Sequence, residues 1–142
     1  MGKVMTRLKL TNSADLAFAR AGSLRQDQVR TLELEALVDT GATMLALPAD
    51  VVATLGLVEA ERRKVKLADG SVHEMSRVSD LRIEILGRDM TCDALVTPAG
   101  STPLIGQLQL EALDLIVDPK SREARVNPAS PDFPLLDLLH AS

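Results

Sequence analysis

Short segments in which apolar and polar residues alternate recur along this chain, and they constrain its fold more than any other feature. Over Thr31–Val38 the polar residues lie on one face, and the other face carries Leu32, Leu34, Ala36 and Val38. Residues 81–85 repeat this pattern with Leu81, Ile83 and Ile85. A two-residue period is typical of a strand with one buried face. The pattern therefore predicts that half-buried strands are the main structural element.

Turn signals separate further strand candidates. Asp69-Gly70 lies between two apolar positions, and Asp-Gly is a strong hairpin signal. The weaker strand candidates span residues 4–11, 62–67, 72–78, 90–96, 113–117 and 123–126. Two short helices interrupt the strands, one from Pro48 to Gly56 and one over residues 107–112. Short strands with frequent turns predict an all-β fold, a closed or partly open β-barrel with one or two short helices.

The length and composition predict one compact domain. The chain has 142 residues, of which 46% are hydrophobic, and this suffices for one core but not for two. We expect the domain to span residues 1–126. Residues 127–142 are expected to form a Pro/Leu-rich C-terminal tail, because prolines end the last strand. This tail could cover a sheet edge, pack on a partner or fray, and its leucines are Leu135, Leu136, Leu138 and Leu139.

Charge and composition argue against several classes of function. The net charge is −4, no basic block occurs and aromatic residues make up 1% of the chain, so no nucleic-acid partner is expected. No apolar run is long enough to span a bilayer, so no membrane association is expected. The single cysteine, Cys92, fits a cytoplasmic location and a small buried hydrophobe better than a thiol nucleophile. His73 and His140 share no ligand spacing with it, so no metal site is expected.

The strongest candidate for chemistry is Asp39. It ends an apolar strand, and Thr40, Gly41 and Ala42 follow directly. An acid on a tight turn next to an apolar strand takes part in chemistry more often than it serves as a solvent-exposed charge. Gly41 lets the backbone approach the carboxylate, where its amide N–H can donate a hydrogen bond. The alternative is an acid in an ordinary turn or helix cap, because Asp and Gly are common in turns.

A second segment is similar to the one around Asp39. Residues 37–41 and residues 103–106 each place apolar residues and a glycine before a helix candidate. This similarity suggests an internal duplication in which only the first copy keeps an acid. A match this short also arises by chance, so both explanations stay open at this point.

Together these segments resemble the retropepsin-type aspartic proteases, which have a single domain and work as homodimers. The resemblance covers roughly residues 8–126 and lies in the order of acid loop, helix, hairpin, further strands, apolar-apolar-Gly segment, helix and final strand. Its residues are Leu37-Val38-Asp39-Thr40-Gly41-Ala42, the hairpin around Ala68-Asp69-Gly70, and Leu104-Ile105-Gly106. The resemblance implies a β-barrel of acid-protease type. The chain departs from the family pattern in having one flap glycine, no Tyr or Trp and a Pro/Leu-rich tail, and these departures suggest a cellular or bacterial relative more than a viral enzyme.

The resemblance implies an aspartic endopeptidase in which two carboxylates activate a water molecule, so no cofactor is expected. Only one Asp-Thr-Gly occurs, and the second carboxylate must then be Asp39 of another copy in a homodimer. The implied support of the active-site loop is Thr40, Gly41, Ala42, Leu104, Ile105 and Gly106. The implied flap, which would cover a peptide or protein substrate, is Leu67, Ala68, Asp69, Gly70 and Ser71.

Two other functions stay open. The same fold could serve as a catalytically inactive, dimeric peptide-binding module. A monomeric all-β domain held in a larger assembly is the second alternative. Cleavage assays on the wild type and on Asp39→Asn distinguish the first alternative from the enzyme, and the oligomeric state in solution distinguishes the second.

Overall fold

A computed structural model describes residues 3–136 of the chain. Within these residues, nine strands and three short α-helices follow one another, with one 3-10 turn at Gln26–Gln28. The strands are β1 (Met5–Asn12), β2 (Thr31–Val38), β3 (Ala46–Pro48), β4 (Glu59–Lys66), β5 (Val72–Ile85), β6 (Arg88–Thr97), β7 (Leu104–Ile105), β8 (Leu115–Asp118) and β9 (Glu123–Val126). The helices are α1 (Ser13–Arg20), α2 (Ala49–Thr54) and α3 (Gln107–Ala112).

Six of the strands close into a barrel. Around the ring the order is β1, β2, β7, β3, β6 and β5, and β5 pairs again with β1. Most neighbours are antiparallel, but β2 pairs with β7 and β3 pairs with β6 in parallel. β4 pairs with β5 alone and lies outside the ring. The closure confirms the predicted all-β barrel of acid-protease type.

The alternating residues form the core, as the sequence predicts. In β5, Leu81, Ile83 and Ile85 are all fully buried or nearly so. In β2, Ala36 and Val38 are buried, and the two leucines before them pack partly buried against the same cluster. One continuous hydrophobic core therefore fills the barrel and extends beneath α2 and α3.

A bulge explains why two predicted strands, residues 72–78 and 81–85, are one continuous strand. In a regular strand Val78 and Leu81 would face opposite sides, because they are three residues apart. Both are fully buried, and the register against β6 shifts between them. Asp80 lies in the left-handed region with φ 59°, so one extra residue is accommodated there. The bulge keeps the apolar face inward from Val78 to Ile85.

The helix α1 was not predicted, although its cap is visible in the sequence. Asn12 ends β1, and its side-chain oxygen accepts a hydrogen bond from the Asp15 N–H at 3.0 Å. The Asp15 carboxylate accepts two hydrogen bonds from the Arg30 guanidinium, at 2.8 and 3.0 Å, and one from the Arg30 N–H. Hydrogen bonding to Arg30 lowers the pKa of Asp15. This pair ties α1 to the start of β2.

After α3 the chain forms a separate hairpin of β8 and β9, followed by residues 127–136, which we call the strap. Asp114 holds the strap. Its carboxylate accepts hydrogen bonds from Asn127 Nδ2 at 3.0 Å, from the Leu135 N–H at 2.9 Å and from the Ser130 hydroxyl. The strap is therefore attached at three points along its length.

Arg88 attaches the strap to the barrel from the other side. Arg88 is only 7% exposed, and its guanidinium donates to the carbonyl oxygens of Leu113 and Asp114 at 3.0 Å and to that of Ser130. Buried charges need such partners because desolvation is costly.

Of the predicted tail, Leu138, Leu139 and His140 lie outside the described residues, and the domain boundary at residue 126 stays a prediction. Within residues 3–136, no helix is both long and apolar enough to cross a membrane.

Leu10→Ala tests the closure of the barrel. Leu10 is fully buried and pairs with Leu32 of β2 and Ile83 of β5. We expect its truncation to lower the free energy of unfolding by about 2–5 kcal/mol, because it leaves a cavity at the junction. Urea denaturation measures the change. The control is Val58→Ala, at a side chain that is 79% exposed, and it should lower the free energy of unfolding by less than about 0.5 kcal/mol. Equal losses in the two variants would contradict the burial of Leu10 at the closure of the barrel.

Acid titration tests the attachment of the strap. Hydrogen bonds from Ser130, Asn127 and the Leu135 N–H lower the pKa of Asp114 to about 2 from its ordinary value of 3.8. A lowered pKa means that the ionised carboxylate stabilises the fold above about pH 4, and that this stabilisation is lost as the pH falls towards 2. We therefore expect the stability difference between wild type and Asp114→Asn to be full near neutral pH and to shrink over that acid range.

Unfolding curves at a series of pH values measure this difference. The control is Asp132→Asn, at an exposed strap residue for which the described part of the chain provides no hydrogen bond. A stability difference for Asp114→Asn that stays constant from neutral pH to about pH 2 would contradict the attachment of the strap by the ionised Asp114 carboxylate.

Candidate active site

The acid loop, residues 39–42, begins where β2 leaves the barrel. Asp39 is half-buried, and its N–H donates to the Ile105 carbonyl oxygen at 2.9 Å. The Ala42 N–H donates back to the Asp39 carbonyl oxygen at 3.0 Å and closes a tight turn. The backbone of Asp39 is therefore fixed on both sides, by its own loop and by β7.

Gly41 orients the carboxylate. Its N–H donates to Asp39 Oδ1 at 3.0 Å, the contact that the sequence led us to expect. A Cβ atom at Gly41 would lie 3.2 Å from the same oxygen, which is tighter than ordinary contact. The small residue thus lets the amide approach the acid without displacing it.

Residues 104–106, predicted to support the loop, lie directly beside it. β7 runs parallel to the end of β2, with Leu104 opposite Leu37 and Ile105 opposite Val38. Ile105 is fully buried. The two similar segments of the sequence are thus neighbours in space. If their register is continued by one residue, Asp39 lies opposite Gly106.

Gly106 makes the closest approach in the site. A Cβ atom there would lie 2.5–2.7 Å from the backbone atoms of Met44, a separation that real side chains do not show. Immediately after it, the Gln107 N–H donates to the Ala42 carbonyl oxygen at 2.8 Å and the Leu108 N–H to that of Thr43 at 3.0 Å. The start of α3 therefore supports the far end of the acid loop. No sequence signal pointed to Thr43 or Met44, because their role is carried by the backbone.

Thr40 points to the outside of the loop. It is exposed and lines an open cavity of about 830 Å3, whose other walls come from α3, β8 and the strap. Among the described residues its side chain has no hydrogen-bond partner. The hydroxyl is therefore available to a group outside this chain.

The flap, residues 67–71, is the tip of the β4–β5 hairpin. The Leu67 N–H donates to the Ser71 carbonyl oxygen at 2.9 Å, and Gly70 adopts φ 86°, which suits glycine at a tight turn. Asp69 Oδ1 accepts from the Ser71 hydroxyl at 2.5 Å and from its N–H at 2.8 Å. These contacts lower the pKa of Asp69. The Ser71 hydroxyl also lies 3.0 Å from His73 Nε2, a flap contact that the sequence did not reveal.

The flap hairpin stands away from the core. Nearly all of β4 is exposed on both faces, Ala68 at the tip is exposed, and no hydrogen bond among the described residues joins the flap to the acid loop. The structure thus brings the acid loop and residues 104–106 together, and leaves the flap as a separate arm. Within residues 3–136, neither of the two cavities that the structure describes has walls from both parts of the predicted site.

Cys92 does not belong to the site. Burial raises the pKa of its thiol to about 11, so it stays protonated near neutral pH. A nucleophilic cysteine needs the opposite shift, and the interpretation as a small buried side chain therefore fits its surroundings. Within residues 3–136, no three His, Cys, Asp or Glu side chains form a cluster suited to a metal ion.

The closed barrel, with its acid loop hydrogen-bonded to a parallel neighbouring segment, is consistent with a barrel of acid-protease type. The family model described as "gag-polyprotein putative aspartyl protease" matches residues 27–112, more than half of the chain. The chain belongs to this family. The match includes the acid loop, the flap and residues 104–106, but not β1, β8, β9 or the strap. A comparison with curated proteins found no match.

Gly106→Ala tests the close contact behind the acid loop. The added methyl group would meet the Met44 backbone, which cannot rotate away as a side chain could, so we expect a loss of about 1–3 kcal/mol in the free energy of unfolding. Gly41→Ala is the comparison, because its Cβ would meet only a side-chain oxygen and should cost less. Thermal and urea unfolding of both variants provide the measurement. A larger loss for Gly41→Ala would show that the contact with Met44 is not the tighter one.

Proposed function

We propose that the chain is a homodimeric aspartic endopeptidase in which the Asp39 carboxyl groups of two copies share one proton and activate water. The coarser assignment, an aspartyl-protease-like domain, follows from family membership. The proposal adds the dimer, the dyad and the hydrolysis of peptide bonds.

The register of β2 against β7 carries the proposal. It places Gly106 at the position that matches Asp39, so the neighbouring segment of the same chain has no side chain to offer. Glu111 and Asp114 line the cavity that reaches Thr40, but Glu111 accepts a hydrogen bond from Gln107 and Asp114 holds the strap. A second copy, related by a two-fold axis beside the acid loop, supplies the missing carboxylate with one gene product.

Two carboxyl groups a few ångströms apart cannot both ionise easily, and the pair therefore holds one proton. The ionised carboxylate takes a proton from water, whose oxygen attacks the scissile carbonyl carbon. The neutral carboxyl donates its proton to the carbonyl oxygen, and a tetrahedral intermediate forms. When this intermediate collapses, the carbon–nitrogen bond breaks, and the leaving amine takes up the proton that the first carboxylate accepted from water. One hydroxyl of the intermediate returns its proton to the other carboxylate, which restores the shared-proton pair. Since each carboxyl must be in a different state, activity should pass through a maximum with pH.

The hairpin that carries the flap offers a binding surface suited to an extended peptide. β4 is an edge strand of the sheet, and its outer N–H and C=O groups have no strand partner among the described residues. Edge strands bind extended segments by adding a further strand, with side chains on alternate faces providing specificity. We propose that the substrate lies between the flap and the paired acid loops. Hydrogen bonds to its backbone would provide the binding, and its side chains would provide the specificity.

The free edge of β4 also supports the alternative, a dimeric peptide-binding module without turnover. Such a module needs the flap and the barrel but not the Asp39 carboxylate. It would bind peptides equally well with Asn at position 39, and it would release them intact.

Asp39→Asn separates the enzyme from the binding module. Asparagine keeps the shape and the hydrogen bond from Gly41 but cannot accept the proton of water, so we expect kcat/KM to fall by about 10²- to 10⁴-fold or more. The measurement is cleavage of a diverse peptide library across acid and neutral pH. Asp27→Asn, at an exposed acid in the 3-10 turn, should leave cleavage unchanged. A wild-type protein that binds peptides but cleaves none would favour the binding module.

Mixing the wild type with Asp39→Asn tests the shared site. If each active site needs one acid from each copy, a ten-fold excess of the variant should lower the activity per wild-type chain by about ten-fold through mixed dimers. Subunits must be allowed to exchange before the assay. Activity that stays unchanged under full exchange would rule out a dyad formed across the dimer.

A further inference from the structure

Three basic residues stand two positions apart along β4, the edge strand of the sheet. They are Arg62, Lys64 and Lys66, which we call the basic row. The register of β4 against β5 is regular from residue 62 to residue 66, and alternate residues of a strand share a face. The basic row therefore lies on one face of the β4–β5 hairpin. All three of its residues are exposed.

The carboxylates near the basic row leave most of its charge uncompensated. Glu74 of β5 lies opposite Lys64, and it forms an ion pair with Arg62 at 3.9 Å between side chains that are 60% and 70% exposed. A long, exposed pair of this kind contributes little. Within residues 3–136, Lys64 and Lys66 form no ion pair, and Asp69 at the tip accepts its hydrogen bonds from Ser71. The hairpin thus presents a positive face in a chain whose net charge is −4.

The other face of β4 is balanced. There the Glu61 carboxylate accepts hydrogen bonds from Arg63 and Arg77, each at 3.2 Å. Val65, the next residue on this face, is uncharged. A segment that pairs with the edge of β4 would therefore meet uncompensated cations on one of its faces and not on the other.

This step rests on the proposed function, in which an extended peptide adds to β4 as a further strand. Directly opposite residues of paired strands point to the same face, and their side chains interact whether the strands are parallel or antiparallel. Every second side chain of the peptide would meet one cation of the basic row. Opposite charges at such positions stabilise the pair and like charges destabilise it. Aspartate or glutamate at alternate positions therefore complements the basic row.

A nucleic-acid strand is also an anion, but it suits this edge less well. Residues 59–78 include no Phe, Tyr or Trp on which bases could stack. The free edge of β4 offers carbonyl acceptors as well as N–H donors, which match a peptide backbone better than phosphate groups, since phosphates mainly accept. Basic residues on an edge strand also hinder pairing between copies, and the test below distinguishes that role.

We propose that β4 selects extended peptide segments with aspartate or glutamate at alternate positions, and that Arg62, Lys64 and Lys66 determine this specificity. The acidic side chains of the bound segment lie opposite the basic row. The side chains between them lie on the balanced face, where their charge has less effect.

Peptide binding to the full chain with the Asp39→Asn substitution tests this specificity without cleavage of the ligand. The probes are three labelled peptides of equal length, with glutamate, glutamine or lysine at every second position and threonine elsewhere. Fluorescence anisotropy at low salt should give a dissociation constant at least about five-fold lower for the glutamate peptide than for the glutamine peptide, and the highest value for the lysine peptide. The differences should shrink as salt is added, because exposed charges are screened.

Two variants of the basic row, made in the same background, locate the preference. Lys64→Glu plus Lys66→Glu should reverse the order, so that the lysine peptide binds more tightly than the glutamate peptide. Lys64→Gln plus Lys66→Gln adds no repulsion with Glu74 and should reduce the preference for glutamate over glutamine to less than about two-fold.

Lys3→Glu plus Lys120→Glu is the matched control for the charge reversal. Both lysines are exposed, both lie off the hairpin, and the net charge changes equally. The order of the three peptides should stay that of the unsubstituted lysines. In cleavage assays with the wild type, glutamate in place of glutamine should lower KM and leave kcat unchanged, because the contact is equal in the ground state and the transition state.

The outcomes separate this inference from the proposed function. A wild type that cleaves peptides without preferring acidic ones, or a control that shifts the order as much as the charge reversal does, overturns the specificity and leaves the enzyme assignment intact. Preferential binding of the glutamate peptide by a protein that cleaves none overturns the enzyme assignment and leaves the basic row its role.

Three further results would overturn the inference. One is a protein that binds none of the three peptides. Another is tighter binding of single-stranded oligothymidylate than of the glutamate peptide, which would indicate a nucleic-acid partner. The third is a pair of basic-row variants that self-associate while their peptide preference is unchanged, since the cations would then serve only to keep copies apart.

Discussion

The backbone contact between the acid loop and residues 104–106 is the constraint on which the rest of the structure depends. The Asp39 N–H is hydrogen-bonded to Ile105, and Gly106 lies so close to Met44 that no side chain fits between them. These contacts join two distant parts of the chain at the end of the barrel. Because they are made by backbone atoms, they fix the position of Asp39 and leave its carboxylate free for chemistry.

The carboxylates of Asp15, Asp114 and Asp39 differ in the number of hydrogen bonds that they accept. Asp15 accepts three hydrogen bonds from Arg30, and Asp114 accepts three from the strap. Asp39 accepts one, from the N–H of Gly41 in its own loop. The first two carboxylates attach segments of the chain. The third accepts fewer hydrogen bonds and keeps lone pairs free, which the proposed exchange of protons requires.

Much of the barrel could be predicted because its strands bury one face, and such strands show alternating apolar and polar residues in the sequence. The loop around Asp39 was predictable from its own residues, since a glycine after the acid marks a close backbone contact. The supporting role of residues 104–106 was predicted only from the resemblance to the retropepsin-type proteases. Two features were less accessible. The helix α1 depends on a cap at Asn12 and a tertiary ion pair with Arg30, and the strap depends on Asp114 and Arg88, which are 26 residues apart. Neither arrangement has a periodic signature.

The bulge at Asp80 has a consequence for how the length of this chain can vary. Side chains on its two sides face the core only because one additional residue is accommodated between Val78 and Leu81. Deletion of that one residue would leave Val78 and Leu81 two positions apart, so a regular strand without the bulge would still bury both side chains. Related sequences that lack the bulge should therefore be one residue shorter at this point, whereas a further single insertion without a second bulge would turn the following apolar side chains towards solvent.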